Sequence, residues 1–425
     1  MTAETSILNR HCVALAADSA VTVGTKGNQK AYNYANKIFA LSKKYPIGIM
    51  IYGGAEFMSV PWETIIKVFR SQYGNQPENT VKEYCKKFVE FIEKDPRFWS
   101  DQAELEIVSR VFEELFGEIL HDTEEKINFF INKRKSQPVP EQVEGWIIAE
   151  LKNKYRSCLQ RKLANSFSDD DYAAFEQKFS ELIRTLLNRH MMIPLKEDTI
   201  VAIIRMIFAF ISRDCYTNSS SGLVITGYGE QEIFPKLYEY SIEGFILKKL
   251  KLEEKSTVAV GSHVSTDFCT AAIKPFAQSE MAYSFISGIE PRLKYNYFRV
   301  LNETFSEYMN ALKGMLEITD KKFETVKKSG QKFLKNFSFG INQIQQQYYI
   351  NPLINIVTIL PKEEVAEMAE ALVNLTSFKR RVSIDLETVG GPIDVALITK
   401  GDGFVWIKRK HYFDPNLNHN FFKNY

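Results

Sequence analysis

Cysteine is scarce and poorly spaced in this 425-residue chain: Cys12, Cys85, Cys158, Cys215 and Cys269 are an odd number with no CxxC pair. That argues against a disulfide framework and against a thiolate zinc site, and a reducing cytoplasm is the expected setting. Histidine is equally thin. His11, His121, His190, His263, His411 and His419 form no HExxH-type cluster, so neither a metal nor another cofactor is expected. Net charge is also small, with 54 basic against 52 acidic residues leaving +2. There is no global pull toward nucleic acid or a membrane surface. Long apolar runs are missing too: TIVAIIRMIFAFIS at 199–212 is shorter than a membrane span and is broken by Arg205, so it reads as a buried helix. Glu4, Asn9, Arg10 and His11 deny the start of the chain the apolar stretch of a signal peptide. Repeats and low-complexity tracts are not evident.

What the chain does have is material for a large core, 45% hydrophobic and 13% aromatic, in a length that holds two or three ordinary domains. SILNRHCVALAADSAV alternates and then runs apolar, and LVITGYGEQEIFPKLYEYSIEGFI has β-rich ends around turn residues; both predict strands. A helix is expected over 54–72, with the chain turning at Pro61 and restarting at Trp62. Beyond about residue 76 the rhythm becomes helical. VKEYCKKFVEFIEK places Val81, Tyr84, Cys85, Phe88, Phe91 and Ile92 on one face. A second helical stretch at 285–355 should break near Ser329 and Gly330. Pro361 should open another helix that turns Val365, Met368, Ala369, Leu372 and Val373 to the core.

The first residues carry a chemical expectation. Met1 precedes Thr2, and methionine is removed readily before a small side chain, which would leave Thr2 at the chain terminus. A terminal threonine is a self-contained nucleophile, because its own α-amino group can serve as base for its hydroxyl.

MTAETSILNRHCVALAADSAVTVG, with Asp18 sixteen residues after Thr2, resembles the start of proteasome β subunits and their bacterial proteasome-like relatives, which are N-terminal nucleophile hydrolases. Further matches follow in the family's order. Lys37 lies between Asn36 and Ile38; Gly53 and Gly54 end PIGIMIYGG; Gly261 and Ser262 sit in AVGSHVSTDF; and Gly390 and Gly391 open VGGPIDVALITKGDGFVWI. The resemblance covers about residues 1–75, 220–280 and 360–410. It implies an α+β fold, a four-layer αββα sandwich, interrupted by helical insertions. The expected organisation is core at 1–75, helical insertion at 76–215, core at 216–284, helical insertion at 285–359, and core with a C-terminal tail at 360–425.

By this resemblance Thr2 would attack a peptide or other amide bond and its α-amine would take the proton. Lys37 would lower the pKa of both groups through its charge, and Asp18 would hold Lys37 charged and in place. The backbone N–H of Gly53 would face the developing oxyanion, and Ser262 would orient the amine. Each residue also has an ordinary explanation: a terminal threonine, a turn aspartate, a surface lysine, a steric glycine and a loop hydroxyl. The pattern departs from the family at three places. Ala20 stands where proteasome subunits commonly have arginine; SIDLETVGG holds the late acid and hydroxyl out of register, leaving Asp385 as a weak candidate; and His11 and Cys12 occupy a turn where glycine is usual.

The resemblance further implies a homo-oligomer that acts on peptide or protein substrates, with an ATP-dependent unfoldase or adaptor as a possible partner. The aromatic faces of the insertions read as packing surfaces. A small-molecule amidohydrolase is the nearer alternative, since the same nucleophile serves unrelated amides. A non-catalytic interaction protein that keeps the fold is the more distant one.

Overall fold

Strands β1 (Ala3–Leu8) and β2 (Val13–Ala17) are buried along their whole length and pair antiparallel from Glu4 opposite Ala17 to Leu8 opposite Val13. The turn between them needs no glycine because Asn9 closes it. Its side-chain oxygen accepts from the backbone N–H of His11 at 2.9 Å and of Cys12 at 3.1 Å, and its amide donates to the carbonyls of Val357 and Leu360, each at 3.0 Å. The turn that holds His11 and Cys12 in place of glycine is therefore an asparagine-capped one. The structure, a computed structural model, describes residues 2–23, 30–191, 195–261, 269–315, 320–383 and 389–418.

Short strands β3 (Val21–Val23) and β4 (Lys30–Tyr32) pair with each other, and β5 (Ile38–Ala40) pairs antiparallel with β6 (Ile47–Gly53). The helix expected from residue 54 does not start there. Strands β7 (Glu56–Phe57) and β8 (Val60–Pro61) form a tight hairpin through Met58 and Ser59, whose φ values are 50° and 64°. Helix α1 (Trp62–Tyr73) then begins after Pro61, which lacks the N–H a helix interior requires.

The next segment is helical, as its periodicity predicts: α2 (Val81–Lys94), α3 (Asp101–Arg134), α4 (Pro140–Leu159), α5 (Tyr172–His190) and α6 (Glu197–Ile211). Thr80 caps α2 in a capping box with Glu83. The six residues expected on one face of α2 are its buried ones, and α6 is the buried apolar helix expected at 199–212. Strands β9 (Ser221–Gly227), β10 (Lys236–Ile246), β11 (Lys249–Ala259) and β12 (Ala272–Ala277) follow. Leu247 and Lys248, both at positive φ, turn β10 into β11.

Helices α7 (Glu280–Ser287), α8 (Pro291–Met315), α9 (Asp320–Gln345), α10 (Asn351–Ile359) and α11 (Lys362–Arg381) precede the final strands β13 (Asp394–Thr399) and β14 (Gly403–Lys408). The break expected at Ser329 and Gly330 is absent: α9 runs straight through both. A Cβ on Gly330 would come within 2.0 Å of the Phe305 ring on α8, so this glycine lets two helices pack closely and does not end one.

The elements form a mixed α+β fold with two five-stranded sheets, ordered β12-β1-β2-β13-β14 and β11-β10-β9-β6-β5. The chain divides into two units. One comprises 1–50, 226–237 and 258–425, and the other 51–225 and 238–257. In the first unit α11 lies on the first sheet, with Val365, Ala366, Ala369, Leu372 and Val373 packed on Ala3, Ile7, Ala14 and Ala16. Small side chains on β2 let the helix come close. On the sheet's other side Gly48 approaches Ile398 and Phe404, where a Cβ would meet their side chains at 2.8 and 3.0 Å. Within the second unit, Trp62 donates to Ser221 at 2.8 Å, Phe57 packs edge-on to Phe245, and Phe69, Phe88, Phe91 and Phe98 form an aromatic cluster joining α1, α2 and the turn that follows. Among the described residues no helix is long and apolar enough to cross a membrane.

Candidate active site

Alternation along β1 decides what Thr2 faces. Ala3 and Ile7 point to α11, so Thr2, Glu4 and Ser6 fall on the opposite side of the strand. Beside them the chain leaves β2 at Asp18, whose backbone N–H donates to Ala3 at 3.1 Å and carries the β1–β2 ladder one residue further. Ser19 anchors the exit: its N–H donates to Gly390 at 3.1 Å, its hydroxyl donates to the carbonyl of Pro392, and its carbonyl accepts from Ala35 at 3.0 Å. The last of these bonds brings in the segment that ends at Lys37, immediately before β5. Gly391 allows the same crossing, with φ at 75° and a position where a Cβ would lie 2.8 Å from Asn33.

Three residues separated widely in the sequence thereby meet. Thr2 Oγ1 donates to Asp18 Oδ1 at 2.6 Å, Lys37 Nζ lies 2.6 Å from the same oxygen, and Lys37 Nζ also donates to Thr2 Oγ1. Asp18 is held by donors alone. Its Oδ1 accepts from the Ala3 N–H at 3.0 Å, and its Oδ2 accepts from Ala20 at 3.2 Å and Gly390 at 2.9 Å. The N–H of Gln278 fixes the Thr2 carbonyl at 2.9 Å. All three side chains are buried. A buried ammonium is tolerable here because a carboxylate with fixed geometry accompanies it. The arrangement places a cation on a threonine hydroxyl and fixes the cation's direction, which favours loss of the hydroxyl proton.

A fourth side chain joins the group. Glu4 Oε1 lies 3.2 Å from Thr2 Oγ1, and Glu4 Oε2 is buried with no partner among the described residues. Burial pushes this carboxyl up to about 8; the charge of Lys37 pulls it down, Asp18 raises it, and its contact with Thr2 lowers it. In the sequence Glu4 argues only against a signal peptide. The available signal was its i+2 spacing from Thr2, which puts the two on one face of a strand. A second buried ion pair stands nearby: Lys410 Nζ binds Asp394 on β13, which lies directly opposite Ala17. Burial first, and the charge of Lys37 further, lower the Lys410 pKa, while Asp394 raises it.

Gly53 belongs to the other unit of the chain. Its φ of 79° and the Ser220 carbonyl, 2.3 Å from where a Cβ would stand, are sufficient to require glycine there. Ser262 and Asp385 lie outside the described residues, as do Met1 and His263. No group of three or more metal-ligating side chains occurs among the described residues.

No family model and no curated protein matches the sequence. Solved structures do match, among them Anbu (ancestral beta-subunit) from Yersinia bercovieri, at 9% identity and a TM-score of 0.30 over 99% of this chain and 94% of that one. An overlay this loose leaves the chemistry to be read from the residues themselves.

Proposed function

We propose that this chain is a proteasome-type N-terminal nucleophile hydrolase with a four-layer αββα core, cleaving peptide bonds through Thr2 once Met1 is removed. The observation that carries the reading is the buried cluster in which Lys37 contacts both Thr2 Oγ1 and Asp18. Removal of Met1 would free an α-amine on the residue that bears the hydroxyl, with an unperturbed pKa near 8. Thr2 Oγ1 would attack the carbonyl carbon and pass its proton to a neighbouring base. The base would return that proton to the leaving amine, and water would then hydrolyse the resulting ester. By the family pattern the Gly53 N–H is the candidate donor to the oxyanion, Ser262 the candidate to orient the amine, and Asp385 the candidate for the late acid. Digestion of a peptide library by the purified chain tests this reading. Cleavage products that vanish in Thr2→Ala support it, and no cleavage at any sequence counts against it.

The helical additions fit assembly or partner recognition, in keeping with a homo-oligomer served by an unfoldase or adaptor. Helices α8 and α9 expose Tyr295, Tyr308, Phe333 and Ile344, and large side chains of this kind favour a covered face. Phe333 and Ile344, eleven residues apart, share one face of α9. Replacing both with Ser is expected to lower the mass found by light scattering more than it lowers small-peptide turnover. Unchanged mass with abolished turnover would mean that the helix completes the site.

A further inference from the structure

A threonine hydroxyl has one proton to give and two lone pairs to offer, yet three groups surround Thr2 Oγ1. Asp18 Oδ1 stands at 2.6 Å, Glu4 Oε1 at 3.2 Å, and Lys37 Nζ is also in contact. Asp18 is surrounded by donors on both oxygens and serves only as an acceptor. Lys37 can only donate. The single hydroxyl proton therefore goes to the shorter contact, Asp18, and one lone pair takes the Lys37 proton. What remains toward Glu4 in that arrangement is a lone pair, which a protonated Glu4 can occupy; turned the other way, the hydroxyl donates to the Glu4 carboxylate, and that contact lowers the carboxyl's pKa.

Among the described residues no other group near Glu4 is given this contact with Thr2. Its cross-strand neighbours on β2 and β12 are Ala17 and Phe276, both apolar. The charged groups that act on it are Lys37 and Asp18, and Lys37 in turn acts through its charge on Lys410, which is paired with Asp394. Its Oε2 is buried and unpartnered among the described residues, so the carboxyl keeps an acceptor in reserve beside the hydroxyl.

Resting on the reading of Thr2 as nucleophile, we propose that Glu4 is a catalytic carboxyl of this site: as the acid it donates to the hydroxyl and holds it back, and as the carboxylate it receives the hydroxyl's proton during attack. The bond from Thr2 Oγ1 to the amide carbon forms as the O–H bond breaks, and the proton moves to Glu4. When the C–N bond breaks, Glu4 returns that proton to the leaving amine. Water then attacks the ester, gives a proton to Glu4, and Glu4 restores it to Thr2 Oγ1 as the acid departs. One amide and one water become one amine and one carboxylic acid, with the enzyme unchanged. The α-amine is then not the only base available to the hydroxyl. Because burial holds Glu4 protonated up to about pH 8, the carboxylate form, and with it turnover, increases as pH rises through that value.

The test is the pH profile of kcat/KM for a small peptide amide, with wild type and Glu4→Gln compared, beside the rate at which a threonine-directed electrophile labels Thr2. Gln keeps the shape and donates permanently, so it mimics the acid form. The expected result is a wild-type profile that climbs to a plateau above about pH 8 and a Glu4→Gln profile at least about 100-fold lower on that plateau, with labelling slowed in parallel. Glu4→Gln that follows the wild-type curve overturns the role of Glu4 and leaves Thr2 standing as nucleophile. Wild type that neither turns over nor labels overturns the reading of Thr2 and this role with it. Should Glu4→Gln fail to fold, infrared titration of folded wild type decides: a buried carboxylic-acid C=O band lost near pH 8 supports the proposal, and no such band above pH 6 overturns it.

Discussion

Thr2→Ala is expected to abolish amide hydrolysis and covalent labelling while the fold persists. The substitution removes a hydroxyl and a methyl at the open end of β1, where the strand is still held by its backbone. Gln278 keeps its bond to the residue 2 carbonyl at 2.9 Å, and Ala3 keeps its bond to Asp18 at 3.0 Å. The charge pair of Lys37 and Asp18 survives at 2.6 Å, so no buried ion is stranded. Thr2→Ser keeps the nucleophilic oxygen and should retain part of the activity. Loss of turnover with an unchanged melting temperature is the outcome to measure. Full activity in Thr2→Ala would sink the mechanism, because among the described residues no other hydroxyl is bonded to both Lys37 and Asp18.

Lys37→Ala carries the second large effect. It removes the cation that contacts Thr2 Oγ1 and leaves Asp18 without its counter-charge. Loss of one preorganised charge of this kind typically costs about 10² or more in rate. Breaking a buried pair can also cost stability, but Asp18 keeps backbone N–H donors from Ala3, Ala20 and Gly390, which should hold the fold together. The single-turnover rate of a small peptide amide, measured beside circular dichroism, separates the two effects. A rate equal to wild type would make Lys37 a structural partner of Asp18 and nothing more.

The meeting of Thr2, Asp18 and Lys37 was legible because each follows or opens a segment with strong strand patterning. A hairpin of known register brings residue 2 beside residue 18, whatever the loops do. Glu4 was not, because a carboxylate set among Thr2, Thr5 and Ser6 looks like a surface residue until the strand is found buried on both faces. Helix boundaries failed where glycine or proline had a tertiary purpose. Gly330 was read as a break although it makes room for Phe305, and the residues before Trp62 form a hairpin that local propensity does not announce. At Gly53 the Ser220 carbonyl by itself leaves no room for a side chain, so the need for glycine there carries no sign of an oxyanion site. Ser262 and Asp385 fall in segments outside the described residues, so their roles stay with the proposal made from the family pattern.

The most direct measurement is the intact mass of the native chain before and after treatment with a threonine-directed electrophile. The account predicts that the chain lacks Met1 and gains one adduct, which fragmentation places on Thr2. Met1 retained on every molecule, with no adduct at Thr2 under conditions where the protein is folded, would contradict it.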